Sequence, residues 1–362
     1  MLSRRSLMAL VGASLALPAR AAERPLYINA LGGLSNPNVA EGPPVFDDRT
    51  VADAHASGVT AINITLGYVS GPADPHKASL AELDYWDSIR ADLPGDLLLI
   101  RKADDLLKAR DTSKIGVIYG FQNAVQIGQN LDHANLYAQR GVRVVQLTYN
   151  PANSLGDGSM APQNRGLSEL GRAVIGRLND LNLMVDLSHS GEQTCLEAIS
   201  ASRAPISINH TGCRALCDLP RNKTDAELKG VANRGGFVGI YFMPFLTLDG
   251  HPRTSDVVAH IEHALKICGE DHVGIGTDGS ITAIDDLNAY QAALAKEVAE
   301  RAAAGIGAKG ERSDTYPFVV DLRGVDQFRK LDGLLSARGH SRRVIDKVLG
   351  GNFLSYARRV WG

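Results

Sequence analysis

Two histidines, His189 and His210, each follow a short apolar run, at 183–187 and 205–208, with a helical stretch at 192–202 between the runs. Parallel strands joined by a crossover helix present their carboxyl ends to one mouth, so both imidazoles would face the same space. Two imidazoles at equivalent strand ends suit a metal ion, whereas either alone reads as a capping or packing residue. Asp278, after Gly274-Ile-Gly276 and before Gly279, adds a carboxylate that serves either the site or a turn cap. Other strand ends offer Gln122 with Asn123, and Tyr149 with Asn150. Arg221 and Asn222 lie on the loop after His210, where Arg221 either grips an anionic ligand or pairs with Asp218 or Asp225.

The elements that must position these residues recur regularly. β-rich runs at 25–30, 59–66, 115–121, 142–148, 183–187, 205–208, 237–242 and 272–276 make eight. Between them, stretches such as 79–90, 130–140, 167–181, 224–234 and 255–268 carry apolar residues at spacings of three and four. Alternation of this kind predicts an α/β fold, a (β/α)8 TIM-type barrel, with an open doubly wound sheet as the alternative. Against the open sheet, Gly32-Gly33 is no Gly-x-Gly-x-x-Gly. Helices at 283–304, 325–337 and 342–360, with a Gly-rich charged stretch at 305–314, would complete the outer ring. His260 and His263 fall on a helix and read as packing or surface residues, and Tyr85 with Trp86 as core or pocket lining.

At 362 residues, 44% hydrophobic and a net charge of −2, the chain has the material for a large core and no charge excess that would suit nucleic acid or a membrane surface. Ser3-Arg4-Arg5-Ser6-Leu7-Met8, an apolar run at 9–17 and Ala19-Arg20-Ala21-Ala22 form an export signal over 1–22, with paired arginines of the twin-arginine type. The expected location is therefore periplasmic or extracellular, with one domain over 23–362. The apolar run is too short to span a bilayer, and no later stretch is long enough. Cys195, Cys213, Cys217 and Cys268 lack the paired spacing of a zinc ribbon and read as core residues.

Several motifs together resemble the renal, or membrane, dipeptidase family. They are Asp186-Leu-Ser-His189, Asn209-His210-Thr with Leu219-Pro-Arg221-Asn222, Gly235-Gly-Phe-Val-Gly239, Asp271-His-Val-Gly-Ile-Gly-Thr-Asp278 and Gly350-Gly-Asn-Phe353. Gly141-Val-Arg-Val-Val-Gln-Leu-Thr148 and Gly166-Leu167 with Gly171 also fit. The resemblance implies a zinc barrel that cleaves dipeptides. It makes His189 and His210 ligands of the second zinc, Asp278 the proton carrier for the attacking water, and Arg221 the grip on the substrate carboxylate.

The departures fall on one metal. Where the family reads Asp-Gly-His-Asn-Asp, this chain has Asn29-Ala30-Leu31-Gly32-Gly33; where a glutamate bridges two zincs, it has Gln122; where Leu-Thr-His-Asn stands, it has Leu147-Thr148-Tyr149-Asn150. A neutral amide cannot hold two divalent ions together. The sequence thus predicts an exported hydrolase cleaving a dipeptide or small amide with a free carboxylate, using one zinc at His189 and His210, with Gln122 or Asp278 as further ligands. Asp278 and Tyr149 would be catalytic; Arg221, Asn222, Tyr149 and Asn150 would bind substrate, and a homodimer would be compatible. The alternatives are a non-hydrolytic proton-transfer enzyme, such as a tautomerase or maturation enzyme, and a binding protein on the same barrel.

Overall fold

The computed structural model describes residues 24–39 and 45–362. The expected export signal at 1–22 lies outside the described residues. Nine strands appear in one parallel sheet: β1 (Ile28–Gly32), β2 (Ala61–Thr65), β3 (Leu97–Leu99), β4 (Ile115–Phe121), β5 (Val142–Gln146), β6 (Met184–Asp186), β7 (Ser207–Thr211), β8 (Phe237–Ile240) and β9 (Val273–Ile275). The path runs β1-β2-β4-β5-β6-β7-β8-β9, with β3 off it on β4. These eight path strands form a nearly closed TIM-type barrel with helices around it. The seam is carried by Asp278 N–H to Leu31 O at 2.9 Å, Gly33 N–H to Gly279 O at 3.0 Å and Ile281 N–H to Gly33 O at 3.2 Å. The ends of β1 and β9 are thereby fixed beside each other.

The sequence reading did not anticipate β3. It pairs with residues 115–117 of β4, while β5 pairs with residues 119–121, so two strands share one edge of β4. Three leucines are too short a run, and too weakly β-forming, to stand out by pattern.

Strand residues alternate between two faces. Ile62, Val117, Val145 and Val185 join the large cluster under the helices, whereas Ala61, Ile118, Val144 and Met184 join a second cluster inside the barrel. Phe353, Tyr356 and Trp361 of the last helix, Asn352–Trp361, belong to that second cluster. The expected helix at 342–360 is broken at Gly350, whose φ of 177° is extended. A Cβ there would meet Leu26 O at 2.2 Å, so the kink lets two backbones approach where no side chain fits.

Candidate active site at the carboxyl ends of the strands

β6 and β7 share a single register pair, Asp186 with Ser207, so their ends need another tie. The Asp186 carboxylate supplies it, accepting from Ser188 N–H at 3.0 Å, Ser188 Oγ–H at 2.5 Å and Asn209 N–H at 3.0 Å. Ser188 Oγ in turn accepts from His210 N–H at 3.1 Å. Asp186-Leu-Ser-His189 is thus a splice that sets both histidines. Burial still pushes the Asp186 acid above the ordinary carboxylate range, against the pull of these hydrogen bonds.

The imidazoles meet as expected, with ring centroids 5.0 Å apart. The amide of Asn150 donates to Ile306 O at 2.8 Å, which turns its oxygen toward His189 Nδ1 at 2.7 Å. His189 therefore carries its proton on Nδ1 and keeps a bare Nε2, which has no partner among the described residues. Neither ring nitrogen of His210 has a partner among those residues either. Burial first, then Arg221, drives both pKa values well below the ordinary histidine value, so both rings are neutral at pH 7. Tyr149 stacks on His189 at 4.3 Å.

Asp278 sits just past β9 with φ of 58°, a left-handed conformation that Asp and Asn tolerate better than other side chains. Its surroundings desolvate it and push its pKa up to about 6, although Arg221 and Arg301 pull the other way. Arg221 is 1% exposed. It donates from Nη1 to Ser188 O at 2.5 Å and lies over the Tyr241 ring at 5.7 Å, and its Nη2 has no partner among the described residues. Neither Asp218 nor Asp225 pairs with it; Asp225 takes His263 at 2.7 Å. His260 is a packing residue, accepting from Cys213 N–H on Nδ1 at 2.9 Å, with Nε2 3.0 Å from Leu246 O. Asn222 is engaged within the fold, donating to Cys217 O and Phe245 O and accepting from Tyr241 Oη–H.

Arg301, with Glu311, escaped the sequence reading. It ends the helix Leu287–Ala303, pairs with Glu311 at 2.8 Å and donates to Tyr149 Oη from both terminal nitrogens at 3.4 Å. A cavity of about 230 Å³ is bounded by Tyr149, Asp278, Arg301, Glu297 and Glu311. No motif links residues 301 and 311 to the strand ends, so only folding could reveal them.

The donor set does not fit the zinc chemistry that the resemblance implies. At the first metal position, both amide atoms of Asn29 are held by Thr277 at 2.8 Å, and Leu31 and Gly33 offer no ligand. Gln122 donates to Thr65 Oγ1 at 2.7 Å. Of the single-zinc site expected at His189 and His210, Asp278 does not join the two histidines in a three-ligand group, and Gln122, whose Oε1 is buried without a partner among the described residues, is a neutral amide and a poor zinc ligand. Among the described residues no three of His, Cys, Asp and Glu come together to hold an ion. Two imidazoles fall short of the three protein ligands of a catalytic zinc, and Arg221 and Lys223 both act on the two rings to disfavour added positive charge.

The family model for membrane dipeptidase, peptidase family M19, matches residues 53–306. The chain is 28% identical over 306 residues to an uncharacterised protein from the pqqA 5′ region of Klebsiella pneumoniae, covering 81% of this chain and 99% of that one. It is 29% identical over 266 residues to the dipeptidase tcpJ of Claviceps purpurea, covering 72% of this chain but only 55% of the relative. Among solved structures, an amidohydrolase from Pseudomonas aeruginosa superposes with a TM-score of 0.78 at 29% identity, over 93% of this chain and 97% of that one. A metallopeptidase from Rhodobacter sphaeroides, bound to a phosphinate mimic of L-Ala-D-Ala, shares the fold with a TM-score of 0.75 at 19% identity, over 93% of this chain and all of that one.

Proposed function

The chain belongs to the membrane dipeptidase family, and on that premise we propose that this dipeptidase-like hydrolase acts on a dipeptide or small amide bearing a free carboxylate, with Asp278 moving the proton. The observation that carries the reading is the buried Arg221 guanidinium, with an unpartnered Nη2, in the same mouth as an acid whose pKa lies at about 6. A guanidinium takes a carboxylate through paired N–H donors, which fixes the substrate's orientation. Above pH 6 the charged Asp278 would take a proton from the attacking water and return it to the leaving amine. The Tyr149 hydroxyl, accepting from Arg301, is the donor available to the oxyanion. His189 and His210, both neutral, would add hydrogen bonding and exclude water. The export signal expected at 1–22 would place that action outside the cytoplasm.

The test pairs each dipeptide with its carboxyl-terminal amide and follows amine release by mass spectrometry. Cleavage with KM raised at least about tenfold in the amide is expected from loss of a charge-assisted hydrogen bond. Equal KM for acid and amide would overturn the carboxylate reading. A second reading, proton transfer within the ligand without cleavage, is favoured by the missing third metal ligand. It predicts deuterium uptake from heavy water into an intact ligand.

A further inference from the structure

The mouth contains more space than the groups above use. Beside Asp278, the ends of β1 and β2 border a cavity of about 640 Å³ walled by Leu31, Ile64, Phe46, Tyr85 and Trp86. It occupies the side of the barrel from which the first-metal ligands are missing. Leu31 stands there as an apolar wall, and Gly33 contributes no side chain. Packing does not force that glycine, because a Cβ on it would meet nothing closer than Ser280 Cα at 3.6 Å, an ordinary contact. Among the described residues, the space is bordered but not filled.

The far wall is aromatic. Phe46 meets Trp86 edge to face at 5.4 Å and 71°, and Tyr85 meets Trp86 at 6.3 Å and 79°. Such an angled wall offers a third ring both a face and an edge, the arrangement aromatic pairs prefer. The volume falls in the range of small-molecule sites. Glu82, one helical turn before Trp86, also lines the cavity; it has no hydrogen-bond or ion-pair partner among the described residues and disfavours acidic groups there.

We propose that this cavity is a recognition pocket for a bulky aromatic side chain on the amino side of the substrate, formed where the first metal's ligands have been replaced by Leu31 and Gly33. The proposal rests on the dipeptide-like reading above for the rest of the ligand. Substrate orientation follows from the two ends of the mouth, with the carboxylate toward Arg221 and the aromatic group toward Trp86.

Trp86 and Trp361 are the two tryptophans of the chain, so a Trp361→Phe variant of the full protein reports on the cavity wall alone. The probe is 4-nitrophenylalanyl-D-alanine, a quencher of indole fluorescence, with tyrosyl-D-alanine and alanyl-D-alanine as competitors. The expected result is saturable quenching, with the tyrosyl competitor binding at least about tenfold more tightly than the alanyl one. Gly33→Leu, which intrudes on the cavity beside Leu31, and Phe46→Ala, which removes part of its wall, should each erase that preference while leaving alanyl-D-alanine affinity within about twofold. Equal affinity for the two competitors, or equal losses for both in the variants, would overturn the pocket. A separate arm uses 4-nitrophenethylamine, which has the ring but no carboxylate. If it quenches Trp86 while no dipeptide binds, the pocket stands and the dipeptide reading fails; if neither binds, the pocket fails as well.

Discussion

Replacing Asp278 by Asn should stabilise the protein at neutral pH while removing its proton chemistry. The two side chains have the same shape, and Asn tolerates the left-handed φ of 58°, so the backbone is not disturbed. In the folded protein the acid is pushed up from its ordinary 3.8 to about 6 by desolvation. Below pH 3.8 the residue is protonated in both states and contributes no difference. As pH rises from 3.8 toward 6, the unfolded chain ionises first, so wild-type stability falls; above about 6 the loss is complete. Each tenfold step counts about 1.4 kcal/mol, so the full loss is on the order of 3 kcal/mol, reduced by whatever solvent reaches the carboxylate. Urea denaturation of wild type and Asp278→Asn between pH 4 and 8 measures it. The stability difference in favour of the variant should grow across that range and level off above about pH 6.5. A pH-independent difference, or a variant less stable at pH 8, would refute the assignment of Asp278 as a desolvated acid. Wild-type kcat/KM should rise with pH through an inflection near 6, because only the charged form accepts a proton.

Arg221→Lys keeps the charge but loses the planar fork, so KM for a carboxylate substrate should rise roughly 10- to 100-fold, from about 1.5–3 kcal/mol of charge-assisted hydrogen bonding; steady-state kinetics check it. Tyr149→Phe removes the hydroxyl that accepts from Arg301 and should lower kcat by about 100-fold with little change in KM, the pattern of a donor used in the transition state. Dialysis against a chelator should leave kcat/KM within about twofold and elemental analysis should find well under one zinc per chain, since two imidazoles lack a third protein ligand. Stoichiometric zinc that disappears in a His189→Ala/His210→Ala variant would contradict that. Asp186→Ala removes the acceptor that joins the ends of β6 and β7 and should cost about 3 kcal/mol or more in denaturation experiments, because three buried donors lose their partner.

The barrel and the meeting of His189 with His210 were legible where chemistry and local pattern coincide. Apolar runs ending at His189 and His210 gave their common mouth, and the geometry brings the rings to 5.0 Å. Leu97–Leu99 was not legible, because a short leucine run becomes a strand only when half an edge of β4 stands free to receive it. The pairing of Tyr85 with Trp86 was readable as core or pocket, and only their place beside the open end of β1 made them a cavity wall.

The sequence by itself determined which groups exist: two neutral-capable imidazoles, one acid on the last barrel strand's end, one arginine after His210, and no first-metal ligands at Leu31 and Gly33. Those are matters of residue identity and local order. Tertiary structure decided what each group can do. It put Arg221 out of water with a free Nη2 and desolvated Asp278 until its pKa reached about 6. It also carried Arg301 from a distant helix onto Tyr149 and set Arg221 and Lys223 near both imidazoles. Desolvation and Coulomb interaction depend on distances in space, and residues 149, 221, 278 and 301 acquire those distances only when the barrel closes.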